Sequence, residues 1–291
     1  MSEEQEPPVK KVTVPNLFEA ILIVGVIQLA ALGITYQNLP EYVAITSTSG
    51  YSFAPLGSSP TGSFGNAIIL VLIVFVATFG LVWLMRRRMV VSFKLLIFAS
   101  LSLSAFLLTM ITTDDVIWRY VPGALEIPLD LLAALTVVGL IAYTIFVKSR
   151  PWLSDAILAF VGAEVGSFFA STLPLATALL LPVVFAAYDI YAVFRGPLKQ
   201  LVGMGKGVAL AGMSIRAGEF TLGLGDIVFY TMLPSLALFH LTSLPTALLT
   251  MAVIDAGVVA TLVLLTRRRL LPGLPIPMIL GVVLLALLLY H

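Results

Sequence analysis

Apolar runs long enough to cross a membrane recur nine times along the chain, over 16–36, 66–85, 91–113, 129–147, 153–172, 175–194, 223–242, 244–266 and 271–290. Each is close to the roughly 20 residues that a spanning helix requires, so the pattern predicts nine transmembrane helices joined by polar segments. The fifth run, LSDAILAFVGAEVGSFFAST, carries Asp155 and Glu164 among many small residues. It is predicted to lie inside the bundle, because small residues permit close helix packing and lipid penalises acids. The segment 37–65 is rich in Ser, Thr, Gly and Pro and reads as an irregular outer loop. No internal repeat is evident, and the odd number of spans also argues against a carrier built from two inverted halves.

Composition sharpens this to an all-α membrane protein. Hydrophobic residues make up 60% of the chain and charged residues 11%, whereas a soluble domain carries about a quarter charged. The net charge is +1 and the basic residues cluster beside the apolar runs, so they act as topology signals and not as a nucleic-acid surface. The bilayer is the expected partner and nucleic acid is not. Without cysteine the chain has no disulfide, thiolate nucleophile or Cys-ligated metal. The N-terminal MSEEQEPPVKKVTVPN lacks a small-residue cleavage pattern, so the first run is expected to be retained as a span.

Charge also orients the bundle. Lys10, Lys11, Arg86, Arg87, Arg88, Lys94, Lys148, Arg150, Arg195, Lys199, Lys206, Arg216, Arg267, Arg268 and Arg269 fall on one side of a nine-span topology, and of the 16 basic residues only Arg119 does not. By the positive-inside rule the N-terminus is expected in the cytoplasm and the C-terminus outside. The expected location is the cell membrane.

Two acids stand where this topology makes them chemically interesting. Asp189 interrupts the apolar AAYDIYAVF near the cytoplasmic end of span six, at about 7 Å from that end by helix rise. A charge at membrane depth costs about 2.5–3.5 kcal/mol even on lenient scales. Span seven returns from the same side and opens TLGLGD, placing Asp226 at nearly matching depth. Two close carboxylates do not both ionise cheaply, so one holds a proton. Such a pair suits hydrolysis, with one member deprotonating a water and the other donating to the developing oxyanion. Which aspartate plays which part is not legible, because the pair titrates as a unit. Gly223 and Gly225 flank Leu224 and free the backbone just before Asp226. Span nine opens LPGLPIP, Leu271 to Pro277, whose three prolines, Pro272, Pro275 and Pro277, prevent ordinary helix hydrogen bonding. Irregular backbone at membrane depth requires protein or a water-filled cavity beside it.

These residues resemble the presenilin and signal peptide peptidase family of intramembrane aspartyl proteases, with its YD, GxGD and PAL motifs. Tyr188-Asp189 stands as YD within YDIYAVFRGPLKQLV, Gly223–Asp226 as GLGD followed by IVFYTML, and Pro272–Pro275 as PGLP, with glycine where the family has alanine. The resemblance implies a nine-helix, presenilin-like fold with Asp189 and Asp226 catalytic and single-span membrane proteins or peptides as substrates; no cofactor or metal is expected, and a homo-oligomer is left open. The predicted orientation is that of presenilin and not of signal peptide peptidase. The motifs divide the chain into 1–194 with YD, a cytoplasmic loop 195–222, and 223–291 with GLGD and PGLP. Tyr188, Gly223, Leu224, Gly225 and Pro272–Pro275 are the expected site-shaping residues.

Two other functions remain in view. A proton-coupled transporter or channel would use Asp189, Asp226, Glu164 and Asp255 as a relay, and a prepilin-type leader peptidase would share the GxGD chemistry. The other polar residues have plain explanations. Glu164 and Asp255 are expected in helix–helix hydrogen bonds, and Asp155 and Glu19 near helix starts. Asp114 and Asp115 are expected in a solvated outer loop, and Tyr188 and Tyr191 in packing. Gly203–Gly207 lacks the context of a phosphate loop, and His240 and His291 have no metal-ligand spacing.

Overall fold

The computed structural model describes residues 14–40, 42–43, 54–121, 123–147, 150–195, 213–218, 220–265 and 271–289. Within them nine apolar helices follow in order: α1 (Val14–Gln37), α2 (Pro60–Arg86), α3 (Val90–Tyr120), α4 (Gly123–Phe146), α5 (Pro151–Thr172), α6 (Leu175–Phe194), α7 (Leu224–Leu241), α8 (Leu244–Leu265) and α9 (Pro275–Leu289). Between α6 and α7 lies a hairpin of β1 (Ser214–Ala217) and β2 (Phe220–Gly223). The chain is a multi-pass integral membrane protein. Eight helices have 18 residues or more. The ninth has 15, about 22 Å of helix, because the predicted span 271–290 opens with four non-helical residues.

Several boundaries differ from expectation for local reasons. Helix α2 begins at Pro60, not 66, because Ser59 caps it by accepting the Gly62 amide at 3.1 Å and proline suits the first helical position. The turn before it is also built, since Asn66 accepts from the Leu56 amide and donates to Gly57, both at 2.9 Å. Helix α3 continues through Asp114 and Asp115, correcting their placement in an outer loop. The sequence offers no glycine or proline between Lys94 and Pro122 to stop it. Lys10, Lys11, Lys148, Lys199, Lys206, Arg267–Arg269, Gly203–Gly207 and His291 lie outside the described residues, as do 44–53 of the outer loop and 196–212 of the loop between spans six and seven.

The core forms around α7 and α5, the two most buried spans, while α2 is the least buried. Gly162 and Gly166 let α5 and α7 meet at backbone distance. A Cβ on Gly162 would stand 2.8 Å from Ile227 Cγ2, and one on Gly166 would overlap the Thr231 hydroxyl and come within 2.7 Å of the Val228 carbonyl. Thr231 cannot yield freely, since its hydroxyl donates to Ile227 O at 2.9 Å. The small residues of span five thus serve the close packing expected of them. Glu164, 1% exposed, is hydrogen-bonded there by Thr109 of α3 at 3.1 Å.

Candidate active site

Strand β2 runs without a loop into α7. Gly223 is extended, with φ −67° and ψ 145°, and the Leu224 amide donates to Met213 O at 2.9 Å, adding a rung beyond the hairpin. The Gly223 amide donates to Asp226 Oδ2 at 3.2 Å. An acid at the third helical position that reaches back to the cap amide is half of a capping box, so local helix-start chemistry aims the Asp226 side chain.

The hairpin that leads to Asp226 is itself held. Arg216 of β1 forms an ion pair with Asp155 at the start of α5, 3.0 Å from Nη2 to Oδ2, and its backbone amide donates to Asp155 Oδ1 at 3.3 Å. Gly218 makes the turn with φ 63°, in the left-handed region that tight hairpins use. A Cβ there would meet Glu19 Oε2 of α1 at 3.0 Å. Asp155 therefore anchors a strand instead of serving its own helix terminus.

The PGLP segment approaches both acids. The Leu274 amide donates to Asp189 Oδ2 at 3.1 Å, and a Cβ on Gly273 would stand 2.9 Å from Asp226 Oδ2. Consecutive residues of one loop thus touch a carboxylate on α6 and another on α7, which bounds their separation at about 10 Å. Both acids are half-buried. Tyr230, one turn after Asp226 and 1% exposed, donates its hydroxyl to Gly273 O at 2.9 Å. Sequence reasoning did not single it out, although its i+4 spacing from Asp226 puts it on the same helix face.

Glycine at 273 sets the spacing between the loop and Asp226. In Gly273→Ala the methyl and the Asp226 carboxylate compete for one space, and the carboxylate, at the end of a short side chain, swings away. The expected result is hydrolysis slower by roughly tenfold, the scale for displacing a candidate reacting group, with thermal stability nearly unchanged. Steady-state kinetics beside a melting curve checks both halves.

The other expected site residues take different positions. Leu224 and Gly225 line a cavity of about 440 Å³ between α2, α3, α5 and α7, with Leu81, Leu101 and Gly162 among its walls. Nothing lies within 4 Å of a Cβ on Gly225. Pro272 and Leu274 are buried, and Pro275 opens α9. Tyr188 points elsewhere: its ring packs edge-on against Phe75 and Phe185, and its hydroxyl has no partner among the described residues. Glu164 is bonded by Thr109, Asp255 Oδ1 is buried with no hydrogen-bond partner among the described residues, and among those residues no hydrogen bond joins either acid directly to Asp189 or Asp226. Among the described residues no three His, Asp or Glu side chains gather as a metal set.

A family model described as Presenilin matches residues 9–207, a stretch that contains Tyr188-Asp189 and ends before GLGD. Presenilin-B of Dictyostelium discoideum is 29% identical over 176 residues, 55% of this chain and 36% of its own length. The chain thus spans little more than a third of the length of that curated relative. Two solved structures, both of a presenilin family intramembrane aspartate protease, share the fold. One, in space group C222, has a TM-score of 0.62 at 18% identity, covering 94% of this chain and 99% of its own. The other, in space group P2, has a TM-score of 0.59 at 20% identity, covering 97% of this chain and 100% of its own.

Proposed function

This chain belongs to the presenilin family, and from that premise we propose that it is an aspartic endopeptidase that hydrolyses peptide bonds of membrane-spanning substrates. The observation that carries the reading is the PGLP loop, whose adjacent residues touch Asp189 and Asp226. A water between the acids loses a proton to the ionised member and attacks the scissile carbonyl. The protonated member hydrogen-bonds the carbonyl oxygen as negative charge develops on it. Collapse of the tetrahedral intermediate breaks the C–N bond, and the proton taken from water passes to the leaving amine.

A substrate helix hides its carbonyls, so it has to unwind before this attack. The hairpin offers an extended segment somewhere to pair. The Arg216 amide faces Asp155, away from β2, and Arg216 is paired with Thr221. Antiparallel alternation then turns the Thr221 backbone groups and the Gly223 carbonyl toward the opposite edge, the edge nearest Asp226 in the chain, while the Gly223 amide is taken by Asp226. Addition of a substrate strand there is a form of β-augmentation. The cavity beside Leu224 and Gly225 gives apolar side chains room. Arg86, Arg150, Arg195 and Arg216 mark the end of the bundle where α6 stops and α7 starts, so the proposed cut lies near the cytoplasmic face.

The test reconstitutes the protein in vesicles with a single-span reporter and maps the products by mass. Cleavage within the span, toward the end bearing the YD and GLGD motifs, is expected. An intact reporter accompanied by proton flux would favour a carrier, and a cut confined to a pilin-like leader would favour a leader peptidase; either outcome overturns the proposal.

A further inference from the structure

We propose that Gln28 and Tyr230 form a brace that fixes the PGLP loop against Asp189, making both of them positioning residues for the proposed hydrolysis, a role that rests on that reading of the site. The brace starts with a defect in α7. Pro234 lies inside this helix and has no amide hydrogen, so the carbonyl four residues earlier, that of Tyr230, lacks its helical donor. A buried carbonyl without a partner is costly. Gln28 of α1, fully buried, supplies the missing donor, its Nε2 standing 3.2 Å from Tyr230 O.

From Tyr230 the connection runs to the aspartates. The tyrosine hydroxyl holds Gly273 O at 2.9 Å, and the next residue along the loop presents its amide to Asp189 at 3.1 Å. Residues 271–274 precede α9 and have no helical ladder of their own. Glycine at 273 contributes no side-chain packing to hold them either. Pro272 and Leu274 are buried on either side, so the phenol fixes the one residue between them that has no side chain of its own, and Gln28 secures the stretch of helix from which the phenol projects.

The test uses the full chain in lipid nanodiscs, with Tyr230→Phe, Gln28→Leu and the double variant Gln28→Leu/Pro234→Ala. Two readouts are taken: kcat and KM on a single-span reporter, and amide hydrogen exchange over 271–277. Tyr230→Phe is expected to lower kcat by about five- to tenfold, the worth of one hydrogen bond, with KM within about twofold and faster exchange at Gly273 and Leu274. Gln28→Leu is expected to do the same more weakly. Pro234→Ala in that background returns an amide hydrogen to the Tyr230 carbonyl, so kcat and exchange recover. Wild-type exchange in Tyr230→Phe overturns the brace, as does a Gln28→Leu defect that Pro234→Ala leaves in place. A wild-type chain that cuts nothing refutes the protease reading instead, and the exchange measurement alone then decides the brace.

Discussion

Asp189→Asn and Asp226→Asn are each expected to lower reporter cleavage by on the order of 10³-fold or more, the scale of losing a general acid or base, while the protein keeps its fold. The structural half of this expectation follows from the hydrogen bonds. Asp189 accepts the Leu274 amide and Asp226 accepts the Gly223 amide, and the amide oxygen of asparagine accepts an N–H just as well. The loop and the helix start therefore survive the exchange. What asparagine cannot do is hold or release a proton, and the proposed reaction needs one aspartate to take a proton from water while its partner donates one. Melting curves and cleavage rates on the same preparations separate the two effects. Because the acids act as a unit, the double variant should be no worse than either single one.

The largest expected effect on stability is Gly166→Val, at about 3 kcal/mol, the upper end of overpacking costs. A Cβ at this position overlaps the Thr231 hydroxyl and lies 2.7 Å from a backbone carbonyl of α7. Backbone has no rotamer to escape into, so α5 and α7 have to separate, and these are the two most buried helices. Gly139 of α4 supplies the contrast, since nothing lies within 4 Å of a Cβ there. Gly139→Ala should leave stability unchanged or raise it by up to about 1 kcal/mol, through helix propensity. Thermal unfolding of both variants in one detergent checks the pair. A Gly166→Val protein that melts with the wild type would mean that α5 and α7 do not meet at backbone distance.

Much of this architecture is legible in the sequence because hydropathy is a local signal. All nine spans predicted from apolar runs overlap helices, and the depth match of Asp189 with Asp226 follows from the order of the spans. Features of finer grain were missed for identifiable reasons. A search for runs of about 20 residues passes over strands of four, yet Ile215, Ala217, Phe220 and Leu222 are the buried positions of the hairpin, and their alternation around Gly218 was available to be read. The Ser59-Pro60 start of α2 was likewise a local capping signal. The Gln28–Tyr230 contact is different in kind. It joins residues 202 apart, and only the folded bundle reveals that a proline on one helix calls for a side-chain donor from another. The role of Asp155 was also hidden, since its partner Arg216 lies 61 residues away.

Helices α6 and α7 place Asp189 and Asp226 against adjacent residues of the PGLP loop, within about 10 Å of one another. The chain contains no cysteine, so Asp189→Cys/Asp226→Cys introduces the only two thiols and can be probed without further change. In the membrane-embedded protein, mild oxidant or a short bifunctional thiol reagent is predicted to join positions 189 and 226 in a single chain, detected as one linked peptide pair by mass spectrometry. Two thiols that each react with a monofunctional reagent but never link to one another would contradict the account.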